Sequence, residues 1–408
     1  MSNVYDVLIV GGGPAGLSAG VYGSRARLKT AIIVKGRPGG QAATTMEMEN
    51  YPGFYEHGTT GPAIMNAFTE HATRFGTEVI DGLVTDVELD GPIKKVKLAN
   101  GTVYEGHSVI FAPGAEPRSL NIKGEHKLRG KGVSYCATCD GEFFEELDIC
   151  VIGNGDAAIE EAMFLTKFAE SVTIIVIHDE GILDCNKASA EKAFRNKKLK
   201  WIWNSVLEEI IGDELVESVK IKNIKTNEIT EMETNGVFFF VGTVPKTAFL
   251  ENKVELDKWG YIVTNELMET NVPGVYGAGD ANAKYLRQVV TAAADGAIAA
   301  VAAEKYLAEL EAFREQVLES NLPVLLTFWA PQVEASIAAV TQLETLAAKH
   351  SGKIALAKLD TYRNQKTSAN YKVKDIPTVI LFNNGVEVGR AEGTFTDADI
   401  EKLIQSVL

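Results

Sequence analysis

The sequence predicts an α/β fold with two strand–turn–helix–strand units and a third, smaller α/β unit at the C-terminal end. Three observations carry this. An apolar run at 7–10 ends in Gly11-Gly-Gly-Pro-Ala-Gly16, followed by a helical pattern and a second apolar run at 30–34. The same order returns where Asp148-Ile-Cys-Val-Ile-Gly-Asn-Gly155 precedes a helical pattern over 157–168 and an apolar run at 172–177. From Phe313 onward the pattern changes to short helices and strands of its own. A Gly-rich turn between strand and helix cradles phosphate in dinucleotide-binding units, and two matches in full context are far more specific than one.

The 408 residues suit about two to three domains of roughly 150 residues. Hydrophobic residues make up 46% and charged residues 23%, which supplies several cores and excludes a disordered chain. Lys and Arg total 40 against 55 Asp and Glu, a formal charge of -15. That balance argues against general nucleic-acid binding and against docking on anionic membranes, because both need clustered cations. No apolar run reaches the roughly 18 residues of a membrane helix; the Ala-rich stretch 292–303 is short and carries Asp295. The N-terminus has no basic segment and runs straight into a strand, so the expected location is the cytoplasm. Four cysteines in a reducing compartment make no disulfide scaffold, and a close pair there points to metal binding or catalysis.

Along the chain, Gly11, Gly13 and Gly16 have the spacing that gives a tight turn, close approach of a pyrophosphate and close helix–strand packing, with Pro14 and Ala15 opening the helix. The helix start adds free N–H groups and a partial positive charge. The following strand ends at Val34-Lys35 without the acid that would hold an NAD ribose. The second loop retains Gly153 and Gly155, with Ala158 in the third place. Residues 237–241 read as a buried strand, 273–280 as strand then turn, and 287–306 as a long helix. Beyond them come a helix at 313–319, a strand at 324–329, a helix at 334–349, a strand at 354–359 and a helix near 365–371. A hairpin over 379–388 turns at Asn384-Gly385, and a last helix covers 397–407.

The sharpest local signal is Cys136-Ala-Thr-Cys139-Asp140. Two thiols this close can form a small disulfide and exchange with another, and an adjacent carboxyl can move protons for that exchange. Zinc would want four ligands, often as two close pairs, whereas Cys150 and Cys185 are single and widely spaced. Structural cysteines are the other alternative. Cys150 lies in an apolar strand and reads as core; Cys185 lies in a loop and reads as a packed or surface thiol.

Residues 1–307 resemble the low-molecular-weight thioredoxin reductases. The matching segments are the Gly11–Gly16 loop, Gly39-Gly-Gln41, Glu49-Asn-Tyr-Pro-Gly53, the Cys136–Asp140 segment, Gly279-Asp280 and Leu286-Arg-Gln-Val-Val-Thr-Ala-Ala293. The resemblance implies a homodimer with one FAD per subunit. It implies a discontinuous FAD-binding domain over 1–115 and 245–307, with a pyridine-nucleotide-type domain over 116–244 carrying the redox cysteines. It further implies that Cys139 faces the flavin, that Cys136 attacks the protein disulfide, and that Asp140 donates and accepts protons. Gly40, Gln41, Thr45 and Asn50 would line the FAD, Gly279 and Asp280 would hold its ribityl chain, and the helix opening at Arg287-Gln288-Val289 would point its N-terminus at the flavin pyrimidine. A positive helix end there stabilises charge on reduced flavin.

One segment departs from the family. NADPH-dependent members follow the second loop with a His-Arg-Arg-x-x-x-Arg stretch that holds the 2′-phosphate, whereas this chain has Val176-Ile-His-Asp-Glu-Gly-Ile182 and no Arg or Lys between Glu170 and Asn186. Asp179 and Glu180 would repel a phosphate. The departure resembles the ferredoxin-dependent flavin thioredoxin reductases of anaerobes, as does His178-Asp-Glu-Gly-Ile-Leu-Asp-Cys-Asn186. In that reading a ferredoxin-like protein passes electrons to FAD, which opens the Cys136–Cys139 disulfide for thioredoxin or a similar protein. Docking of an acidic ferredoxin would need a local basic patch, such as Arg195, Lys197, Lys198 and Lys200. The alternatives are an NAD(P)H-dependent thioredoxin reductase and a non-catalytic flavin-bound regulatory module. The Gly153–Gly155 loop could also cradle a second nucleotide or flavin.

Residues 312–408 resemble thioredoxin through Phe328-Trp-Ala330, Asp375-Ile-Pro-Thr378 and Phe382-Asn-Asn-Gly385. Pro377 matches the family's cis-proline. The family's Cys-Gly-Pro-Cys falls on Val333-Glu-Ala-Ser336, and Thr327 replaces its buried acid, so this unit is expected to be redox-inactive. The first helix is expected to end near Leu307 and a separate one to start at Phe313, a short join that suits a fixed appendage.

Overall fold

Strand β1 (Tyr5–Val10) lies between two parallel neighbours, and its apolar run is buried on both faces, as an interior parallel strand requires. It feeds α1 (Pro14–Arg25), whose Pro14 supplies a preset φ where no N–H is needed. β2 (Thr30–Val34), α2 (Gly61–Arg74), β3 (Glu78–Asp81), β4 (Val84–Glu88), β5 (Lys94–Leu98) and β6 (Val103–Phe111) follow, in the sheet order β3-β2-β1-β6-β5-β4. The computed structural model describes residues 4–44, 48, 50–54, 59–362 and 364–408, and it divides into two compact units, Met1–Ala300 and Val301–Leu408.

The chain leaves this sheet through β7 (Ala115–Pro117) and builds a second, wholly parallel one. Its elements are β8 (Val133–Ser134), the short helix α3 (Ala137–Asp140), β9 (Asp148–Ile152), α4 (Asp156–Leu165), β10 (Ser171–Ile175), α5 (Lys187–Arg195) and β11 (Leu199–Ile202). A meander of β12 (Ser205–Ile211), β13 (Ser218–Asn223) and β14 (Ile229–Glu233) leads into β15 (Gly236–Phe239). The sheet order is β11-β10-β9-β15-β8, which puts β8 and β11 on opposite edges. β16 (Thr243–Pro245) returns antiparallel to β7, and β17 (Val275–Gly277) joins the first sheet beside β6.

Helix α6 runs without interruption from Val289 to Phe313 and continues as a π-turn at Arg314–Leu318. This corrects three sequence expectations: the start at Arg287, the end near Leu307 and the separate helix at Phe313. Residues 304–313 are Glu, Lys, Tyr, Leu, Ala, Glu, Leu, Glu, Ala and Phe, with no Gly or Pro to stop a helix. Among the described residues no helix is long and apolar enough to cross a membrane.

The second unit contains β18 (Val324–Trp329), α7 (Glu334–Lys349), β19 (Ala355–Asp360), α8 (Gln365–Asn370), β20 (Thr378–Asn383), β21 (Val386–Glu392) and α9 (Asp397–Gln405), in the sheet order β19-β18-β20-β21. Asn384 and Gly385 have φ of 51° and 75°, the paired positive values of a two-residue hairpin turn. Ile376–Pro377 is cis, and Thr396 with Asp399 forms a reciprocal cap on α9. Two apolar clusters cover the two faces of the sheet.

Thr327 in β18 is fully buried and its Oγ1 has no hydrogen-bond partner among the described atoms. A buried hydroxyl without a partner costs about 1–3 kcal/mol. Thr327→Val keeps the shape and removes the orphan, so the melting of the C-terminal unit is expected to rise by a similar energy. A calorimetric scan showing an unchanged or lower transition would contradict this.

Candidate functional site

Four segments distant in sequence meet in the first unit: the Gly11–Gly16 loop, the Cys136–Asp140 segment, the Gly279–Asp280 turn and the start of α6. The glycine loop has the shape of a phosphate cradle. A side chain on Gly11, at φ 112°, would sit 2.0 Å from the Ala112 carbonyl, and one on Gly16 would sit 1.9 Å from the Gly11 carbonyl. At Gly13, which precedes α1, a Cβ would meet nothing within 4 Å, so this side is open to an incoming group. Ala15 is buried where α1, α6 and the 279 turn converge: a Cβ on Gly296 would strike the Ala15 carbonyl at 2.0 Å.

Asp280 follows Gly279, which has φ 76°. Its Oδ1 is buried without a partner among the described residues, and burial holds its carboxyl above the usual range, opposed by Lys284 and Arg287. The orphaned oxygen asks for a hydroxyl donor and the open face of Gly13 asks for a phosphate; a dinucleotide carrying a polyol chain supplies both. Asp295 on α6, which sequence reasoning did not single out as functional, accepts the Gly279 N–H at 2.9 Å and the Lys284 ammonium at 2.6 Å. A lone acid in an Ala-rich helix was the signal available. Arg287 spends its guanidinium on the Asp280 and Asn282 carbonyls and stacks over Tyr261.

Gln41 donates its amide to the Ala115 carbonyl at 2.6 Å, and Gly40 has φ 60°. Thr45 lies outside the described residues. Gln288, whose carbonyl accepts the Ala292 N–H that opens α6, reaches across the site. Its Oε1 accepts from Asn50 Nδ2 at 3.1 Å, and its Nε2 donates to Thr138 Oγ1 at 3.2 Å and lies 3.8 Å from Cys136 Sγ. Cys139 Sγ is 4.0 Å from Gln288 Oε1. Val289 is the first helical residue, so the unpaired N–H groups of the first turn open beside these sulfurs.

Cys136 and Cys139 are joined as a disulfide with Cα atoms 5.3 Å apart. Cys136 precedes α3 in extended conformation, and Asp140 closes that helix. Burial pushes the Asp140 carboxyl above its usual range, while Ser134 Oγ, donating to its Oδ2 at 2.5 Å, pulls it back. Sequence reading missed Ser134, whose only signal was its place two residues before Cys136. Cys150 is fully buried with its thiol pushed up to about 12, and Cys185 is raised by burial and then by Asp156. Among the described residues no three His, Cys, Asp or Glu converge on a metal position.

The second glycine loop has the same backbone plan. Gly153 has φ 129° with the Phe240 carbonyl 2.5 Å from its would-be Cβ, and Gly155 faces open space. The chain's own acids line this loop. Asp184 pairs with Gly155 in an isolated bridge, its N–H donates to the Asn154 carbonyl, and its carboxylate takes Asn154 Nδ2 and His178 Nε2. Asp156, in the first turn of α4, accepts two hydrogen bonds from Asn186. Asp179 pairs with Lys225. Two carboxylates therefore stand at the helix end where a pyrophosphate would bind.

The basic patch lies elsewhere. Lys200 is in β11, with Lys197 and Lys198 just before it and Arg195 at the end of α5. β11 and β8 are the opposite edges of a five-stranded sheet, so the patch stands about 19 Å, four strand spacings, from the strand that presents the dithiol.

Comparison with known proteins gives a consistent result. The profile of the pyridine nucleotide-disulphide oxidoreductase family matches residues 5–296, and that of thioredoxin matches residues 305–406. A thioredoxin reductase of Peptoclostridium litorale is 51% identical over 76% of this chain and 99% of its own length. A bifunctional thioredoxin reductase/thioredoxin of Mycobacterium leprae is 37% identical over 96% of this chain and 94% of its own. The crystal structure of thioredoxin reductase from Streptococcus pyogenes superimposes with a TM-score of 0.72 at 42% identity, covering 76% of this chain and all of that one.

Proposed function

Because this chain belongs to the thioredoxin reductase family of pyridine nucleotide-disulphide oxidoreductases, flavoprotein disulfide oxidoreductases here fused to a thioredoxin-like domain, we propose that it reduces thioredoxin through Cys136 and Cys139 with electrons from a ferredoxin-like donor. The observation that carries the catalytic part is the meeting at Gln288: both sulfurs lie within 4.0 Å of the residue that opens α6, the helix aimed at the flavin in this reading.

Gly11, Gly13 and Gly16 would hold the FAD pyrophosphate with the N-terminus of α1, Asp280 would take a ribityl hydroxyl, and Gly40, Gln41, Asn50 and the α6 start would border the ring. FAD held there would supply the electron pair that opens the Cys136–Cys139 bond. Two protons complete the conversion to a dithiol. Cys136 gives its thiol proton to Asp140 and, as thiolate, attacks one sulfur of the thioredoxin disulfide to form a mixed disulfide; the released substrate thiolate takes that proton back from Asp140. Cys139 then attacks the Cys136 sulfur, restores the internal disulfide and releases the second substrate thiol.

The electron source is inferred from the second loop. Asp156 and Asp184 occupy its mouth, and the segment that would need cations for a 2′-phosphate carries none. A one-electron protein donor needs no such cradle, and two of its electrons open one disulfide. The same carboxylates favour one FAD per chain over two. Exposed Val290, Ala294 and Ile298 repeat every fourth residue along α6, and Tyr285, 96% exposed, and Leu286 precede them. An apolar stripe of this kind suits a homodimer.

The test is anaerobic: NADPH, NADH and photoreduced ferredoxin are added in turn while flavin absorbance is followed, and FAD per chain is counted. Rapid bleaching by ferredoxin alone, with one FAD per chain, is expected. Bleaching by micromolar NADPH, or two FAD per chain, would overturn the reading.

A further inference from the structure

Ser134 ends β8 and is 4% exposed, so water is poorly placed to take over its hydrogen bonds. Its Oγ accepts the Cys136 N–H at 3.1 Å and donates to Asp140 Oδ2 at 2.5 Å. The Cys136 carbonyl, which also accepts the Asp140 N–H, lies within the hydroxyl's reach at 3.4 Å. We propose that Ser134 is a positioning residue that holds Asp140 against the backbone of Cys136 in both protonation states and so sets how readily Asp140 gives up its proton.

A serine hydroxyl has one proton and two lone pairs. With Asp140 ionised, Ser134 donates to its carboxylate. With Asp140 protonated, the carboxyl O–H donates to Ser134 Oγ, and the serine proton turns to the Cys136 carbonyl. Neither state leaves a buried donor without an acceptor, so the proton moves without rearranging the loop. The hydrogen bond is stronger to the charged form, so the serine favours ionisation where burial opposes it. In the disulfide form, where Cys136 and Cys139 carry no charge, burial and Ser134 are the influences on this carboxyl, and neither Glu142 on the next turn nor Asp156, Glu160 and Glu161 on the adjoining α4 add to them; in the reduced form the two thiols join as titrating neighbours.

The inference rests on the reading of Asp140 as proton carrier, and the test separates the two. Enzyme photoreduced anaerobically is mixed with oxidised thioredoxin across a pH series, and flavin reoxidation is timed. In Ser134→Ala the transition assigned to Asp140 is expected to move up by about one pH unit, the scale of one charge-assisted hydrogen bond. Ser134→Thr, which keeps the hydroxyl, should restore the parent profile, and FAD content reports folding in each variant. If Asp140→Asn leaves the transition in place, the reading of Asp140 fails. If Asp140→Asn removes it while Ser134→Ala leaves it within about 0.3 pH unit of the parent, the Ser134 inference alone fails.

Discussion

Replacing Cys139 by serine is expected to leave FAD bound and to lower thioredoxin reduction by about 10⁴-fold or more, the scale on which loss of a catalytic nucleophile registers. Serine keeps the shape of the loop but can neither form the internal disulfide nor resolve a mixed one. Cys136→Ser should be equally inactive for a different reason, because no thiolate then attacks the substrate. The two differ in what they trap: Cys139→Ser retains Cys136 and should accumulate a covalent thioredoxin adduct, while Cys136→Ser should not. The remaining cysteines offer no substitute. Cys150 is fully buried with a thiol pushed up to about 12, and Cys185 is held toward its neutral form by burial and by Asp156 and Asp184. Mass spectrometry of the mixtures reads the adduct. Turnover that survives in Cys139→Ser would refute the assigned pair.

NADPH is expected to bind some 10²–10⁴-fold more weakly than it would with two arginine contacts to its 2′-phosphate, since each such contact is worth about 1.5–3 kcal/mol. Repulsion adds to this deficit. Asp156 keeps its negative charge at the start of α4, because hydrogen bonds from Asn186 hold its carboxyl below the usual range. Lys225 does the same for Asp179. The acids therefore stay ionised across the neutral range and gain protons only at low pH. Titration of the oxidised protein with NADPH, followed by calorimetry, should show no binding at micromolar concentration. A micromolar dissociation constant would contradict the reading.

Much of the architecture was legible because local rules repeat. The Gly11 and Gly153 loops each sit between an apolar strand and a helix, and in each case the strands before and after that loop and helix pair in parallel. Asn384-Gly385 announced its hairpin through two residues that tolerate positive φ. The continuity of α6 was not legible: a change of unit suggested a break, while residues 304–313 contain nothing that breaks a helix. At the site, residue types and spacing pointed to the dithiol and the phosphate loop. They could not show that Gln288 stands between residues 50 and 136, because those contacts join segments far apart in sequence, nor that Ser134 and Asp295 brace the nearby acid and turn, because a single serine or a single acid on a helix carries no spacing signature of its own. The bridge from Asp184 to Gly155 was equally hidden, since it runs through backbone that carries no residue signature.

The most direct measurement is anaerobic turnover with photoreduced ferredoxin as the sole reductant and oxidised thioredoxin as the sole acceptor. The expected result is continuous formation of thioredoxin dithiol at two ferredoxin electrons per disulfide, with no nicotinamide present and none formed when Cys139 is serine. Dithiol formation that appears only after NADPH or NADH is added would contradict it.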